Sequence, residues 1–294
     1  MYPPILSHKK TSIKILSILL PFILVATPSL TTAEYSDHIL QVSSGTTFGL
    51  GQILTDLRGV SLIFVGEQHD DTRHHDLQLR VLRTLHNLDV PVAVGLEMFT
   101  SKDQAYLDSW IAGDLSEGDF IGAHERNWGD TWPLYSSLYR YTRERGIPMI
   151  GLNVPEEITT QVANQGFSSL SAEQRSTLPI VSCDVDREYM AFIRRALLAH
   201  EGMEEGRTFE RFCEAQLIWD TAMASRLVGH IKRNPGVTIV VIAGNSHSWR
   251  PGIPEQLDRF TEDIDYRIIL PEVPPVQTRR SVDRSVADYL WLMR

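Results

Sequence analysis

Five short runs of almost uninterrupted apolar residues mark the chain, and each predicts a buried β-strand. The runs cover residues 57–66, 90–96, 147–152, 237–243 and 266–270. Between them, apolar residues recur every three or four positions, which is typical of amphipathic helices. This spacing predicts helices over residues 73–88, 101–111, 132–145, 155–164, 171–177, 184–200 and 207–233.

Fully apolar strands that alternate with helices predict an α/β fold, in which a mostly parallel central sheet carries helices on both faces. The helix-rich block over 155–233 is too long for a single crossover, so we expect a helical cap subdomain over one end of the sheet. Pro271, Pro274 and Pro275 mark the end of the packed domain, which is expected to span 34–275. The C-terminal tail over 276–294 contains apolar residues near its end, and it either docks on the domain or stays loose.

The first 33 residues have the pattern of a signal peptide. Three lysines precede an apolar run of about a dozen residues, which is short for a membrane span of about 20. Small residues over 31–33 follow and suit cleavage before Glu34. An uncleaved N-terminal anchor is the alternative. We therefore expect a periplasmic or otherwise exported protein, with no membrane span in the mature chain.

The composition of the chain mainly excludes certain classes of function and of site. The 294 residues include 28 Lys and Arg against 37 Asp and Glu, and the formal charge of −9 becomes −12 without the leader lysines. Such an acidic chain is a poor binder of nucleic acids. Its two cysteines exclude a disulfide-dense scaffold and a four-cysteine zinc site. In an oxidising compartment Cys183 and Cys213 either pair or remain separate buried thiols, and neither follows the leader as a lipid anchor would require.

Polar residues follow four of the predicted strands at the point where each strand ends. Ligands of parallel α/β sheets bind outside these carboxyl ends, so we expect the polar residues to share one rim. They are Glu67, His69, Glu97, Asn153, Asn245 and His247. Asn153 alone is better explained as a turn residue. Ordinary turns use Asp, Asn, Ser and Gly, so two Glu and two His at one rim favour a functional site.

The two histidines share the pattern strand, Gly, two residues, His. Glycine lets the chain leave a strand sharply, and an imidazole holds a metal or moves a proton near neutral pH. Glu67, His69, Glu97 and His247 are therefore candidate catalytic residues, as a general acid/base set or as a divalent metal centre. The next helix opens with His74 and His75, one of which either faces this rim or is solvated. No nucleotide-binding glycine loop and no Gly-X-Ser-X-Gly elbow follows any strand, so neither a nucleotide cofactor nor a serine hydrolase is supported.

Five motifs, taken in order, carry a family resemblance over about residues 45–270. They are Gly-Glu-Gln-His-Asp, His-His, Gly-Leu-Glu-Met-Phe, Leu-Asn-Val-Pro and Ala-Gly-Asn-Ser-His. The chain resembles the ChaN-like haem-binding uptake family, part of the Tiki/TraB group in which erythromycin esterase-like enzymes are also placed. The resemblance implies an exported haem-binding protein of haem or iron uptake. It also implies a homodimer that encloses two stacked haems and a possible haem receptor of the cell envelope as partner.

The resemblance implies roles for individual residues. In the haem-binding case one tyrosine holds the iron, for which Tyr135 is chosen over Tyr139 and Tyr141 in the same helix. The remaining implied haem contacts are His69, His74, Asn245 and His247. The alternative is a metal-dependent hydrolase of the Tiki or erythromycin esterase-like type, a peptidase or an esterase. Its divalent metal ion would be held by His69, His247 and either Glu67 or Glu97, of which Glu67 is chosen, while the other glutamate activates water.

Overall fold

Each of the five apolar runs forms a strand, and three further strands extend the sheet. The computed structural model describes residues 38–179, 191, 193–194 and 209–293. The predicted leader, Cys183 and all but residues 191 and 193–194 of the predicted helix over 184–200 lie outside the described residues. The strands are β1 (His38–Gln41), β2 (Thr46–Phe48), β3 (Leu62–Glu67), β4 (Val92–Thr100), β5 (Met149–Asn153), β6 (Thr238–Gly244), β7 (Tyr266–Pro271) and β8 (Tyr289–Leu292).

Helices lie between most of these strands, as the spacing of apolar residues predicts. They are α1 (Leu50–Leu57), α2 (Thr72–His86), α3 (Gln104–Ala112), α4 (Glu117–Trp128), α5 (Trp132–Arg145), α6 (Glu156–Gln165), α7 (Ala172–Ser176), α8 (Phe209–Arg233), α9 (Asn245–Ser248) and α10 (Ile253–Phe260). The segment predicted as one helix over 101–111 begins with a 3₁₀ turn, Ser101–Asp103, and continues as α3. No helix within the described ranges is long and apolar enough to cross a membrane.

The eight strands form one mixed sheet in the order β2-β1-β8-β7-β3-β6-β4-β5. The run from β8 to β5 is parallel throughout, whereas β1 pairs antiparallel with both β2 and β8. The α/β prediction with a mostly parallel sheet is therefore confirmed. Because β6 lies between β3 and β4, the two strands that precede the Gly-X-X-His histidines are direct neighbours.

Alternating side chains of the central strands supply two separate apolar cores. Val65, Val240 and Ile242 pack with the helices α1 to α5 on one face. Phe64 and Val241 point to the other face, where α8 and α10 cover them. Helices therefore cover both faces of the sheet, as predicted for parallel strands.

The C-terminal tail docks, which resolves the alternative left open by the sequence. Its apolar end forms β8, which pairs with β7 on one side and β1 on the other. Part of the segment predicted as a helical cap also belongs to the main body, since α8 contributes Leu217, Met223 and Leu227 to the core of the sheet. The cap subdomain itself stays a prediction.

Candidate functional site

Three adjacent strands bring the four predicted catalytic residues to one edge of the sheet. Glu67 ends β3 opposite Gly244, which ends β6 and leads into His247 on α9. Glu97 lies on β4, where the pairing with β5 becomes irregular between Leu96 and Thr100. Such an irregularity redirects a side chain from the regular alternation of the strand. Glu67, His69, Glu97 and His247 are called the rim cluster below.

Glu67 is the buried centre of the first half of the rim cluster. Its carboxylate accepts hydrogen bonds from Nδ1 of His69 at 2.7 Å, Nε2 of Gln78 at 2.7 Å and the hydroxyl of Tyr135 at 2.5 Å. Nδ1 of His75 lies 3.2 Å from the same carboxylate. Burial alone would raise the pKa of Glu67, but the hydrogen bonds from the two histidines hold it well below the ordinary value. Glu67 is therefore a fixed negative charge.

His69 is the member of the rim cluster that meets solvent, with a side chain 39% exposed. Burial of part of the ring would lower its pKa, but the hydrogen bond to Glu67 and the charge of Glu97 raise the pKa to about 9. The imidazole therefore carries a proton at neutral pH. It is a hydrogen-bond donor and a proton source, not a ready base.

Only one of the two helix-opening histidines joins this cluster. His75 lies against Glu67, and its ring packs on Tyr135 with centroids 4.4 Å apart. His74 is fully buried on another side, where Nδ1 accepts the backbone N–H of Gln68 at 2.9 Å. This contact fixes the turn between β3 and α2. The structure therefore places His75, rather than the predicted His74, beside the site, because consecutive helical residues point in different directions.

The second half of the rim cluster joins β4, α8 and α9. Nε2 of His247 lies 3.3 Å from Glu97, while Nδ1 lies 2.6 Å from Asp220, a fully buried residue of α8. Burial raises the pKa of Asp220 to about 6, although the charge of His247 opposes the rise. Burial also acts to lower the pKa of His247, but the flanking carboxylates of Glu97 and Asp220 raise it. Glu97 in turn accepts the backbone N–H of Gly244 at 2.7 Å.

The two Gly-X-X-His motifs interlock through their glycines. A Cβ on Gly244 would lie 3.0 Å from Cε1 of His69, a residue of the other motif. Conversely, a Cβ on Gly66 would lie 2.5 Å from Oδ1 of Asn245, the residue that follows Gly244. Each motif thus occupies the space that the glycine of the other motif leaves open. This packing gives a physical reason for glycine at the first position of both motifs.

Substituting Gly244→Ala is expected to move the ring of His69 away from Glu67. The pKa of His69, about 9 in the wild type, is then expected to fall towards the ordinary value near 6.5. Titration of the His69 Cε1 proton by NMR measures the shift. The Gly51→Ala variant is the control, because nothing lies within 4 Å of a Cβ there. An unchanged His69 titration in Gly244→Ala would contradict the interlocked arrangement.

Two openings flank the rim cluster. The first, called the aromatic groove, has a volume of about 810 Å³, and its lining includes Trp128, Trp219, Lys102, Arg126 and Asn153. The ring of Trp128 meets His69 edge to face with centroids 5.1 Å apart, and Trp219 meets His247 in the same way at 5.8 Å. The second, called the rim pocket, measures about 330 Å³ and includes Glu67, His69 and Ser246 in its lining.

Metal coordination by the rim cluster stays a prediction. Among the residues that the structure describes, no three His, Cys, Asp or Glu side chains converge in an arrangement suited to a metal ion. Glu67 and His69 do meet, and His247 meets Glu97 rather than Glu67. Metal ligation requires a neutral imidazole, so an ion at this site would have to displace the proton that His69 carries at neutral pH.

The remaining predicted residues take structural positions. Tyr135 is buried beneath the rim, and the negative charge of Glu67 adds to burial in raising the pKa of its phenol far above the ordinary value. Oδ1 of Asn245 is buried against Gly66. Asn153 donates from Nδ2 to the carbonyl of Glu97 at 2.9 Å, which agrees with a turn residue that also braces the rim. As haem contacts, Tyr135 and Asn245 stay predictions.

Sequence reasoning missed the supporting residues Gln78, Gln216 and Asp220. Gln78 bridges Glu67 and the carbonyl of Val65, while Gln216 and Asp220 both reach Nδ1 of His247. A signal for Asp220 exists in the sequence. It is an acid inside an apolar stretch of a helix that packs on the sheet, and such buried acids have partners.

One family model and one solved structure match this fold. A family model described as "Haem-binding uptake, Tiki superfamily, ChaN" matches residues 53–257. The solved structure of ChaN of Campylobacter jejuni with cofacial haem is 18% identical, covers 87% of this chain and 96% of its own, and has a TM-score of 0.70. The erythromycin esterase EreC, a mutant in its open conformation, is 17% identical, covers 76% and 72%, and has a TM-score of 0.45. No curated protein matches the chain.

Proposed function

The chain belongs to the haem-binding uptake family of the Tiki superfamily, ChaN, and from this premise we propose that it binds haem and serves haem or iron uptake. The family match over residues 53–257 is the observation that carries the proposal. It includes the rim cluster and every residue named above for the aromatic groove. The structural question is therefore where on this chain a haem fits.

The aromatic groove has the size and chemistry that a haem requires. Its volume of about 810 Å³ falls in the range of cofactor pockets. The rings of Trp128 and Trp219 offer flat apolar walls for the macrocycle, and Met98 adds an apolar floor. Lys102 and Arg126 line the same groove and are the candidate cations for the propionate groups. Four carboxylates of the described chain line it as well, and Nζ of Lys102 lies 3.6 Å from that of Glu157, so a propionate at Lys102 would compete with this ion pair.

We propose Tyr106, which lies beside the groove and is not part of its described lining, as a more accessible axial ligand than Tyr135. Among the tyrosines that the structure describes, Tyr106 is the exposed one, at 38%. The guanidinium of Arg126, which lines the groove, lies 5.2 Å from the centre of its ring. Tyr135 would have to leave its hydrogen bond with Glu67 and ionise in a buried place. Tyrosine is an established ligand of haem iron, to which it binds through its oxygen.

Dimerisation, export and a receptor partner belong to the same proposal. The groove is an open surface feature, so a haem bound there would leave one face uncovered unless a second copy closed it. A homodimer that forms in the presence of haem is therefore proposed, with an exported location and a haem receptor of the cell envelope as a further partner. Light scattering of the protein with and without haem distinguishes monomer from dimer.

Haem titration of the purified protein is expected to produce a new Soret band that saturates. Tyr106→Phe is expected to shift this band and to weaken affinity at least about tenfold, because the iron loses its ligand. Tyr135→Phe tests the sequence prediction, and Tyr141→Phe is the matched control, since Tyr141 packs against His86 away from the groove. We expect both to keep the wild-type band.

Two outcomes would contradict this proposal at different levels. Absence of any spectral change with the wild-type protein would overturn haem binding. A wild-type spectrum in Tyr106→Phe, together with unchanged affinity in a Lys102→Ala, Arg126→Ala double variant, would leave haem binding intact but move it out of the groove. Metal analysis of the same protein sample addresses the second candidate function.

The second candidate is a metal-dependent hydrolase, a peptidase or an esterase. One observation favours it: the four residues predicted as catalytic meet at one edge of the sheet, and one of them, His69, has a partly exposed imidazole. Under this hypothesis, His69, His247 and Glu67 would hold a divalent ion. Metal that is retained by the wild type and lost from a His69→Ala, His247→Ala double variant would support it.

A further inference from the structure

The segment between β7 and β8 builds a second chamber next to the rim pocket. We call residues 272–288 the strap. Its first turn is closed by Val273 and Gln277, whose backbones exchange hydrogen bonds of 2.6 and 2.7 Å. Its far end is tied down by the carbonyl of Val286, which accepts the N–H of Arg250 at 2.9 Å. The strap is therefore an ordered wall over the protein surface around Trp249.

The space under the strap is apolar. This strap chamber measures about 380 Å³, and Pro275, Val282 and Val286 are part of its lining. Both valines are buried, so the chamber wall belongs to the packed protein and not to a surface crease. A chamber of this size with such a lining suits a small apolar group.

The strap chamber and the rim pocket share one wall. Trp249, Val276 and Gln277 line both spaces. Nε1 of Trp249 donates to Oε1 of Gln277 at 2.5 Å, and Nε2 of Gln277 donates to the carbonyl of Pro271. The partition therefore includes the side chains of Trp249 and Gln277, which are hydrogen-bonded to each other.

The rim pocket and the strap chamber differ in the chemistry of their linings. The lining of the rim pocket includes the imidazole of His69 with Gln68 and Ser246, all of which can donate hydrogen bonds to an oxygen atom. The carboxylates of Glu67 and Asp70 line the same pocket, and Glu67 is already hydrogen-bonded to His69. On the other side of the shared wall the described lining consists of Pro275, Val282 and Val286, with Ser281 as its one further polar residue. An elongated ligand that spans both spaces would therefore need an oxygen-bearing head and an apolar tail.

We propose that the rim pocket and the strap chamber together form a site for an amphipathic acyl compound, with its oxygen-bearing head at His69 and its apolar tail under the strap. Within the described chain this site shares no lining residue with the aromatic groove. It is thus separate from the groove in which haem is proposed to bind. The head is either the carboxyl group of a free acid or the carbonyl group of an ester. Both present an oxygen atom that accepts hydrogen bonds.

Isothermal titration with a series of saturated acids from butanoate to decanoate tests the site. The wild type is expected to gain affinity with chain length until the strap chamber is full. Val282→Phe fills the chamber, so octanoate affinity is expected to fall at least about tenfold while butanoate binding stays unchanged. Val282→Ala enlarges the chamber and is expected to move the optimum to a longer chain. Methyl octanoate, titrated in parallel, separates the ester from the acid.

The controls keep the outcome decisive. Leu88→Phe adds the same ring at an exposed position that lines neither space, and it is expected to behave as wild type. His69→Gln is expected to weaken the affinity for acids of every chain length equally, because it changes only the position at which the head binds. Haem titration of Val282→Phe is expected to match the wild type. Affinity independent of chain length, or equal losses of butanoate and octanoate in Val282→Phe, would overturn the proposal.

Discussion

Replacing Glu67 with glutamine is expected to lower the free energy of unfolding by about 3–5 kcal/mol at pH 7. Glutamine has nearly the same shape but no charge, so His69 and His75 would lose the buried carboxylate that they share. Gln78 and Tyr135 donate to different oxygens of Glu67, and glutamine keeps only one of them, so one of these two hydrogen bonds would lose its acceptor. Urea unfolding followed by tryptophan fluorescence measures the change.

The pH dependence gives this prediction a second signature. Because folding lowers the pKa of Glu67 from its ordinary value of 4.5, its stabilising effect is fully present above that value and declines as the pH falls towards the folded-state pKa. The difference between wild type and Glu67→Gln is therefore expected to shrink in acid. Glu117→Gln, the same change at an exposed carboxylate paired with Arg140, is expected to leave unfolding unchanged at pH 7. Equal effects of the two substitutions would rule out a buried charge centre at Glu67.

The Gly66→Ala variant is expected to destabilise the protein by about 1–3 kcal/mol, the usual cost of adding a group to a filled space. The new Cβ would lie 2.5 Å from Oδ1 of Asn245 and 2.7 Å from Cδ2 of Leu270. Both neighbours are packed, so the end of β3 or the turn into α9 must move. Thermal unfolding measures the loss.

Gly51→Ala serves as the opposite case. Gly51 lies in helix α1 with open space around its missing Cβ, so alanine there is expected to stabilise the protein by about 0.5–1 kcal/mol. If Gly66→Ala were neutral or stabilising as well, the close approach of Asn245 to β3 would not be a constraint on the sequence.

The central part of the fold follows from the sequence because its signals are local. Apolar runs of strand length predict β3 to β7, and Gly146 marks the end of α5, where it adopts a left-handed backbone conformation as the C-terminal cap. The strands β1, β2 and β8 are not predicted. They are short, and their place in the sheet depends on antiparallel pairing between the two ends of the described chain, which no local pattern encodes.

The rim cluster is predictable for a similar reason and only in part. Strand ends in a parallel sheet share an edge, so Glu67, Glu97 and the two motif histidines can be placed together without a structure. The residues that set the protonation of these side chains cannot be placed from the sequence. Tyr135 and Asp220 reach the cluster from helices on opposite faces of the sheet, and their role depends on the direction of a side chain within a helix.

The strand order also has a consequence for how the protein is made. β6 fills the place between β3 and β4, yet it begins at Thr238, late in the chain. A growing polypeptide that has not reached this point cannot complete the centre of its sheet, and the edges of β3 and β4 remain without the partner they share. Unpaired strand edges invite association with other chains. The rim cluster therefore comes into existence only after the segment with β6 and His247 has been synthesised.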